Sequence, residues 1–204
     1  MTITFKQFLH EQSSGTFVFA FGRYSPPTRG HVAHFQHVKD YAKKIGAPYT
    51  VYVSKKVDHK RNPVPVEEKV AYIKKAIPDL HIEPAVNMFT ILGDLIERGG
   101  ITDIVYFAGG DYFTDQAERA MFDRLQMEAQ KVGINLKVQS SGERTEGISG
   151  TALRQAVVNN DFKTFLHASP VGIGRVTEQD VARMFEITKQ GLATVPKTRS
   201  AVRR

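Results

Sequence analysis

Strand-like and helix-like segments alternate along this chain, and no other feature of the sequence restricts the fold as much. Short apolar runs without helical spacing, such as "TFVFAF" at 16–21, are typical of strands buried on both faces. Longer segments between them place apolar residues at helical spacing, as at 30–45. Strands are predicted at 16–21, 48–53, 80–85, 103–108 and 134–138, and helices at 30–45, 66–76, 88–100, 114–131 and from about 149.

Parallel strands need long crossover connections, which helices usually provide. The alternation therefore predicts an α/β fold, a doubly wound parallel sheet of about five strands with helices on both faces, followed by C-terminal helices. Ligands bind such sheets outside the carboxyl ends of the strands, where the strand order reverses. The loop after the first strand, at 22–29, is the first candidate for a binding site.

Composition limits the classes of protein to which this chain can belong. A chain of 204 residues, 41% hydrophobic and 24% charged, suits a single globular domain. Cys is absent, which excludes disulfides and thiolate metal sites and indicates a reducing compartment. No leader or membrane-span pattern is evident, so we expect a cytoplasmic protein without a membrane partner. The formal charge of +7 suggests an anionic partner.

The loop after the first strand, "GRYSPPTRGH", is stiff and opens directly into a helix. Gly22 permits a tight exit from the strand, and two consecutive prolines restrict the segment that follows. Thr28 and Gly30 lie at the helix start, where unpaired N–H groups and the helix dipole favour a phosphate, and His31 falls in the first turn with Arg23 nearby. A capping threonine beside an incidental surface histidine is the alternative.

A second stretch, "GISGTALRQAV" at 147–157, repeats this pattern. Ser149, Gly150 and Thr151 lie at another helix start, and Arg154 one turn later can form bidentate bonds to phosphate. A capped helix with a solvent-facing arginine is the alternative. Two such stretches in one alternating chain favour an anion site.

Together the two stretches resemble the signatures of a known superfamily. "GRYSPPTRGH" resembles the T/HxGH motif and "ISGTALR" the ISSTxxR motif of the cytidylyltransferase-like nucleotidyltransferases, whose Rossmann-like fold is shared with class I aminoacyl-tRNA synthetases. The resemblance covers about 16–166. "RNPVPVEEKVAYI" at 61–73 is most similar to archaeal-type nicotinamide mononucleotide adenylyltransferases. "SGERTEGISGTALR" and "NNDFKTFLHASP" are similar to nucleotidyltransferase-like proteins of large bacteriophages, which implies a viral origin and the host cytoplasm.

Three features depart from the archaeal enzymes. Thr28 stands where many members have the first histidine, as in the phosphopantetheine adenylyltransferase branch. "AGGDYFTD" follows the fourth predicted strand and is closer to the Gly-Ser-Asp turn of other branches. The chain has no Trp to stack on a nicotinamide ring. The resemblance therefore indicates the reaction class better than it indicates the acceptor.

The resemblance implies transfer of a nucleoside monophosphate, with AMP favoured, to a phosphorylated small molecule such as nicotinamide mononucleotide, with pyrophosphate released. By resemblance, His31 contacts the α-phosphate region and Thr28 neighbouring phosphate oxygens. Arg154, with Ser149 and Thr151, contacts the β- and γ-phosphates. An ionised phosphate is already nucleophilic, so alignment and charge stabilisation supply the catalysis.

Further roles follow from the same resemblance. Lys60 and Arg61 are expected to bind the acceptor or the triphosphate, and Asp111 to orient a ribose or acceptor group. Mg²⁺ is expected to be bound through the nucleoside triphosphate, with no metal ligand from the protein. The expected nucleotide-binding residues are Gly22, Arg23, Tyr24, Gly30, Ser149, Gly150 and Thr151.

Other conspicuous residues have two interpretations. His34 and His37 follow His31 at helical spacing, which suggests a metal stripe, but without a matching carboxylate a surface or packing role is preferred. Tyr24, Tyr112 and Phe113 are predicted either to stack on a ring or to pack. The loop bearing Lys55, Lys56, Lys60 and Arg61 is either phosphate-facing or simply solvated.

The predicted organisation is a nucleotidyltransferase domain at 1–166 with a helical extension at 1–15, a helical segment at 167–191 and a flexible basic tail at 192–204. The helix at 177–190 packs either on the domain or on another subunit, which leaves a homo-oligomer open. Nucleic-acid contact through the basic tail is the less favoured of the interpretations of this segment.

Three hypotheses remain at this stage: an adenylyltransferase, a cytidylyltransferase acting on a phosphorylated alcohol, and a noncatalytic nucleotide- or RNA-binding protein. The motifs bind triphosphate without identifying the base, so the partners are ATP or CTP and a phosphorylated acceptor.

Overall fold

The computed structural model describes residues 15–109, 116–142 and 148–193, and the elements below belong to those residues. The strands are β1 (Thr16–Gly22), β2 (Tyr49–Ser54), β3 (Ile82–Ala85), β4 (Asp103–Ala108) and β5 (Asn135–Ser140). The helices are α1 (Arg29–Ile45), α2 (Val66–Ala76), α3 (Met88–Arg98), α4 (Gln116–Lys131), α5 (Gly150–Val158), α6 (Phe162–Ala168) and α7 (Glu178–Ala193).

The five strands form one parallel sheet in the order β3-β2-β1-β4-β5, which confirms the predicted α/β, Rossmann-like fold. Val18 of β1 is in register with Tyr49 of β2 and with Val105 of β4. The chain continues from β1 to β2, which pairs with one edge of β1, and β4 pairs with the other edge of β1. The strand order therefore reverses beside β1, at the carboxyl end of which the loop at 23–28 begins.

Alternate residues of each strand enter two separate cores because successive side chains point to opposite faces. Val18 and Phe107 belong to the core that α1, α2, α5, α6 and α7 cover. Phe19 and Ile104 belong to the opposite core, which α3 and α4 cover. The five helices on the first face include both helix starts that the sequence singled out.

Local signals place the helix ends close to the predicted positions. Asn87 caps α3 through a hydrogen bond from Thr90 N, and Gly99 follows its last turn. Gly46 ends α1 in the left-handed conformation that glycine adopts without strain. These signals depend on short spacings, and therefore sequence alone could locate them.

The C-terminal helices pack on the same core as α1 and α2. The boundary predicted at residue 166 falls inside α6, a seven-residue helix that the sequence analysis did not predict. In α7, Val181, Met184, Phe185 and Thr188 are buried. Of the two packing arrangements considered for this helix, the structure shows packing on the domain. Helix α7 extends to Ala193, two residues into the predicted tail. Residues 1–14 and 194–204 lie outside the described residues.

No helix within the described ranges has the length and apolar character needed to cross a membrane.

Candidate functional site

The loop after β1 is held by contacts on both sides. Ser25 Oγ accepts a hydrogen bond from Val64 N at 3.0 Å, and Ser25 O accepts one from Arg154 Nη1 at 2.7 Å. Pro26 and Pro27 are buried, and the Ser25–Pro26 peptide is cis. The segment that the prolines were expected to stiffen is thus also fixed by two distant parts of the chain.

Gly22 provides space for Tyr24. A Cβ at Gly22 would lie 2.7 Å from atoms of the Tyr24 ring, closer than side-chain carbons approach. Tyr24 is 7% exposed, and its ring packs edge-on against Phe35 at 4.7 Å between centroids. Burial raises the pKa of its phenol well above the usual value. Of the two roles considered for Tyr24, the structure shows packing of the ring.

Thr28 and His31 form a reciprocal cap at the start of α1. Thr28 Oγ1 accepts from His31 N at 3.1 Å, and His31 Nδ1 accepts from Thr28 N at 3.0 Å. Histidine thus takes the place that Glu or Gln has in the usual capping box. Because Nδ1 is an acceptor here, a neutral imidazole carries its proton on Nε2. The cap sets both the orientation of the ring and its tautomer.

The start of α5 lies against this loop. Ser149 caps the helix, accepting from Ala152 N at 3.0 Å. A Cβ at Gly150 would lie 3.2 Å from Arg154 Nη1 and 3.5 Å from Ser25 O, so this position favours the smallest residue. At α1, the equivalent atom on Gly30 would lie 3.5 Å from Ile148 Cγ2. The two helix starts are therefore neighbours, and their first-turn N–H groups lie in the same region.

Arg154 interacts electrostatically with Arg23, Arg61 and Asp58 at this point. Arg154 donates to Ser25 O and, through Nη2, to Thr151 Oγ1 at 2.9 Å. Burial lowers the pKa of the Arg154 guanidinium, the charges of Arg23 and Arg61 lower it further, and the charge of Asp58 opposes the shift. Arginine remains protonated at physiological pH, so Arg154 is a half-buried cation with two further cations nearby. An anion bound among the three guanidinium groups would relieve their repulsion.

A basic turn at 58–62 carries Arg61 and Lys60. Asp58 Oδ1 accepts hydrogen bonds from Lys60 N at 2.9 Å and Arg61 N at 2.6 Å. These backbone bonds lower the pKa of the Asp58 carboxyl, and the bond from Arg61 N has the largest effect. Asp58 and Asn62 also pair through their backbones. The side chains of Lys60 and Arg61 are exposed on a turn with an ordered backbone.

Lys69 of α2 lies beneath the loop and the basic turn, and sequence reasoning gave it no role. Its side chain is fully buried, and Nζ donates to Ser54 O at 2.8 Å, Asn62 Oδ1 at 2.9 Å and Arg23 O at 3.0 Å. Burial lowers the pKa of Lys69 to about 8, and Glu67 opposes this shift. Its position on the apolar stripe of α2 was the signal that could have identified it.

The two further histidines of α1 have packing partners. His34 Nδ1 lies 2.5 Å from Ser141 Oγ, and the His37 ring contacts Phe107 edge-on at 5.2 Å between centroids. Within the described ranges, no group of three or more His, Asp or Glu side chains could hold a metal ion. The expected roles of Asp111, Tyr112 and Phe113 lie outside the described residues.

Comparison with protein families matches residues 19–156 to the model of the cytidylyltransferase-like domain, more than half of the 204 residues. A search of the curated proteins found no match. The matched range contains both helix starts, the basic turn and Lys69. The chain therefore belongs to the cytidylyltransferase-like family, within the nucleotidyltransferase superfamily that its two motifs indicated.

Proposed function

We propose that this protein transfers a nucleoside monophosphate from a nucleoside triphosphate to a phosphorylated small molecule and releases pyrophosphate. ATP is the favoured donor, and nicotinamide mononucleotide is the leading acceptor. Family membership supports a nucleotidyltransferase. The observation that carries the proposal is the meeting of two helix starts with Arg23, Arg61 and Arg154 beside the strand-order reversal.

In this reaction, a phosphate oxygen of the acceptor attacks the α-phosphorus of the triphosphate. A new phosphorus–oxygen bond forms, and the bond from the α-phosphorus to the bridging oxygen breaks as pyrophosphate leaves. The nucleophile is already ionised, so the protein's task is to align two anions and to stabilise the charge that develops. Oriented N–H groups and guanidinium groups are suited to that task.

His31 is the residue we assign to the α-phosphate. Because Nδ1 accepts from Thr28 N, the proton of a neutral ring is on Nε2, and this is the donor that we assign to the phosphate. Thr28 is only 1% exposed, and both its hydroxyl and its N–H interact with His31. We therefore assign Thr28 to holding His31 and the helix start, and the N–H of Gly30 to the phosphate.

The start of α5 is assigned to the β- and γ-phosphates. Arg154 uses Nη1 and Nη2 for protein partners, but a guanidinium group has five N–H donors. Ser149 and Thr151 supply hydroxyls, and Gly150 supplies a first-turn N–H group. Arg23, with Lys60 and Arg61 of the basic turn, extends the cationic surface toward the acceptor or the triphosphate.

Mg²⁺ is proposed to enter on the triphosphate. The described groups that surround the site are chiefly cations and N–H donors, and Asp58 Oδ1 is engaged by backbone N–H groups. Such groups suit phosphate oxygens, and Mg²⁺ commonly retains waters and binds substrate phosphates. When bound, the ion would neutralise part of the phosphate charge. Asp111 is proposed to orient a ribose or acceptor group.

The test is magnesium-dependent pyrophosphate release. ATP and CTP are each paired with nicotinamide mononucleotide, phosphopantetheine and simple phosphorylated alcohols. His31→Ala is expected to lower kcat/KM by about 10²–10³, as removal of an oriented donor does in other enzymes. The matched control is His37→Ala, an exposed histidine of the same helix that packs on Phe107.

Turnover with ATP and nicotinamide mononucleotide, lost in His31→Ala and retained in His37→Ala, would support the proposal in full. Turnover of CTP or another acceptor would keep the reaction and replace the substrate. Without turnover of any pair, and with salt-dependent oligonucleotide binding that is indifferent to His31→Ala, a noncatalytic nucleic-acid-binding protein would be the better explanation.

A further inference from the structure

Lys69 is a buried cation that the proposed reaction leaves without a role. Its ammonium group has three donors, and they reach three oxygens: Arg23 O in the loop after β1, Ser54 O at the end of β2, and Asn62 Oδ1 in the basic turn. Among the described residues no carboxylate forms an ion pair with Lys69. The charge is therefore satisfied by neutral oxygens from three separate segments.

Asn62 connects Lys69 to the basic turn. Its side chain is fully buried, and Nδ2 donates to Lys56 O while Oδ1 accepts from Lys69. Its backbone pairs with Asp58, the residue that holds Arg61 N. A displacement of Lys69 would thus pass through Asn62 to the segment that carries Arg61.

On the other side, Lys69 reaches the loop that carries Arg23. The bond to Arg23 O lies two residues before Ser25, which joins Val64 N through Oγ and Arg154 Nη1 through its carbonyl. One ammonium group therefore bonds both the backbone of Arg23 and the side chain of Asn62, the residue that follows Arg61. Both Arg23 and Arg61 raise the electrostatic crowding at Arg154.

We propose that Lys69 is a positioning residue that holds Arg23 and Arg61 beside Arg154, so that the three guanidinium groups bind a polyphosphate together. Because Arg23 and Arg61 each repel Arg154, their segments need a common attachment to stay close to it without a ligand. The neutral oxygens around Lys69 provide this attachment, and the Asp58 carboxylate of the basic turn accepts hydrogen bonds from Lys60 N and Arg61 N. This inference rests on the proposed function, since the polyphosphate is the triphosphate part of the donor nucleotide.

A purely structural lysine would behave differently. Its loss would lower stability, but each arginine would still contribute its own share to binding in the folded fraction. If Lys69 positions Arg61, the contribution of Arg61 should shrink when Lys69 is removed. A double-mutant cycle measures this dependence.

The experiment titrates inorganic tripolyphosphate into four folded proteins by calorimetry: wild type, Lys69→Met, Arg61→Ala and the double variant. Arg61→Ala is expected to weaken binding about tenfold in the wild-type background, the loss of one charge-assisted contact. In the Lys69→Met background the same change should have almost no effect. Lys39→Met, which removes a lysine paired with Asp79 on the surface, is the control, and its effect should add to that of Arg61→Ala.

Equal effects of Arg61→Ala in both backgrounds would overturn the proposal. If Lys69→Met does not fold, Asn62→Ala replaces it, because it removes the Oδ1 through which Lys69 reaches the basic turn. Arg61→Ala should again weaken tripolyphosphate binding less in this background than in wild type, although the difference should be smaller than with Lys69→Met. Equal effects of Arg61→Ala in this background and in wild type would again overturn the proposal. A wild-type protein that binds no tripolyphosphate overturns it as well. Non-additive binding without turnover of any nucleotide pair would instead reject the proposed reaction and leave the role of Lys69 intact.

Discussion

The starts of α1 and α5 lie side by side at the candidate site but are held differently. At α1, Thr28 is 1% exposed and exchanges two hydrogen bonds with His31. At α5, Ser149 accepts from Ala152 N, and an alanine has no side-chain acceptor with which to return the bond. Thr151 is exposed at this second start, and the half-buried Arg154 follows one turn later.

This difference indicates separate tasks for two similar sequence patterns. The first start is fixed by its own cap, which orients the His31 ring, and Lys69 bonds the preceding loop at Arg23 O. At the second start, Arg154 bonds Ser25 O and Thr151 Oγ1, and a hydroxyl can exchange partners for a phosphate oxygen. Under the proposed function, the start of α1 holds its donors in a fixed orientation, and the start of α5 exchanges hydrogen bonds when a phosphate binds.

The largest expected effect compares the arginines of the two helix starts. Arg154→Ala should lower kcat/KM for pyrophosphate release by about 10²–10³, and Arg154→Lys should restore little, because one ammonium cannot reproduce the planar fork. Arg29→Ala is the matched variant, since its guanidinium donates to Ser169 O at the end of α6. It should lower the melting temperature and leave kcat/KM close to wild type. Equal losses of activity in folded Arg29→Ala and Arg154→Ala would contradict the assignment of a phosphate-binding role to Arg154 and a structural role to Arg29.

The buried support of the α1 side should have a pH signature. The folded pKa of Lys69, about 8, lies below its ordinary value of 10.5. Between these values the unfolded chain binds more protons than the folded protein, so the contribution of Lys69 to stability rises with pH through this window. Across this window, the free energy of unfolding of wild type should rise by on the order of 3 kcal/mol relative to that of Lys69→Met. Urea unfolding across the window measures it, and parallel pH curves for the two proteins would contradict it.

The two caps should differ in their contribution to stability. Thr28→Ala is expected to lower the free energy of unfolding by about 2 kcal/mol, the upper end for a cap, because the threonine is buried and bonded in both directions. Ser149→Ala should cost about 0.5–1 kcal/mol. Urea denaturation of the two variants gives both values. Equal costs would show that the reciprocal bond to His31 adds nothing.

The smallest expected effect compares the glycines of the two first turns. A Cβ at Gly30 would meet its nearest neighbour at an ordinary contact distance of 3.5 Å, whereas one at Gly150 would lie 3.2 Å from Arg154 Nη1. Gly150→Ala should therefore be less stable than Gly30→Ala by roughly 0.5–1 kcal/mol, because the guanidinium must shift. Thermal unfolding of both variants tests this. A Gly150→Ala protein at least as stable as Gly30→Ala would show that Arg154 moves without cost.

Much of the fold could be predicted because its signals are local. Strand and helix positions follow from apolar spacing, and the starts of α1 and α5 follow from capping residues next to apolar runs. The seven-residue α6 escaped prediction because it is too short to show a helical period. Lys69 was visible as a lysine on the buried stripe of α2, together with Val66, Ile73 and Ala76. Its acceptors were not visible, because they lie 7, 15 and 46 residues away along the chain.

The sequence by itself determined the alternation of strands and helices, the two capped helix starts and the chemical types of the groups that they carry. Only the tertiary structure decided which of these groups meet. Arg154 and Ser25 lie 129 residues apart in the chain, yet their bond joins the two helix starts. Such contacts depend on the order of the strands in the sheet, and apolar periodicity records which face of a segment is buried but not which segment lies beside it.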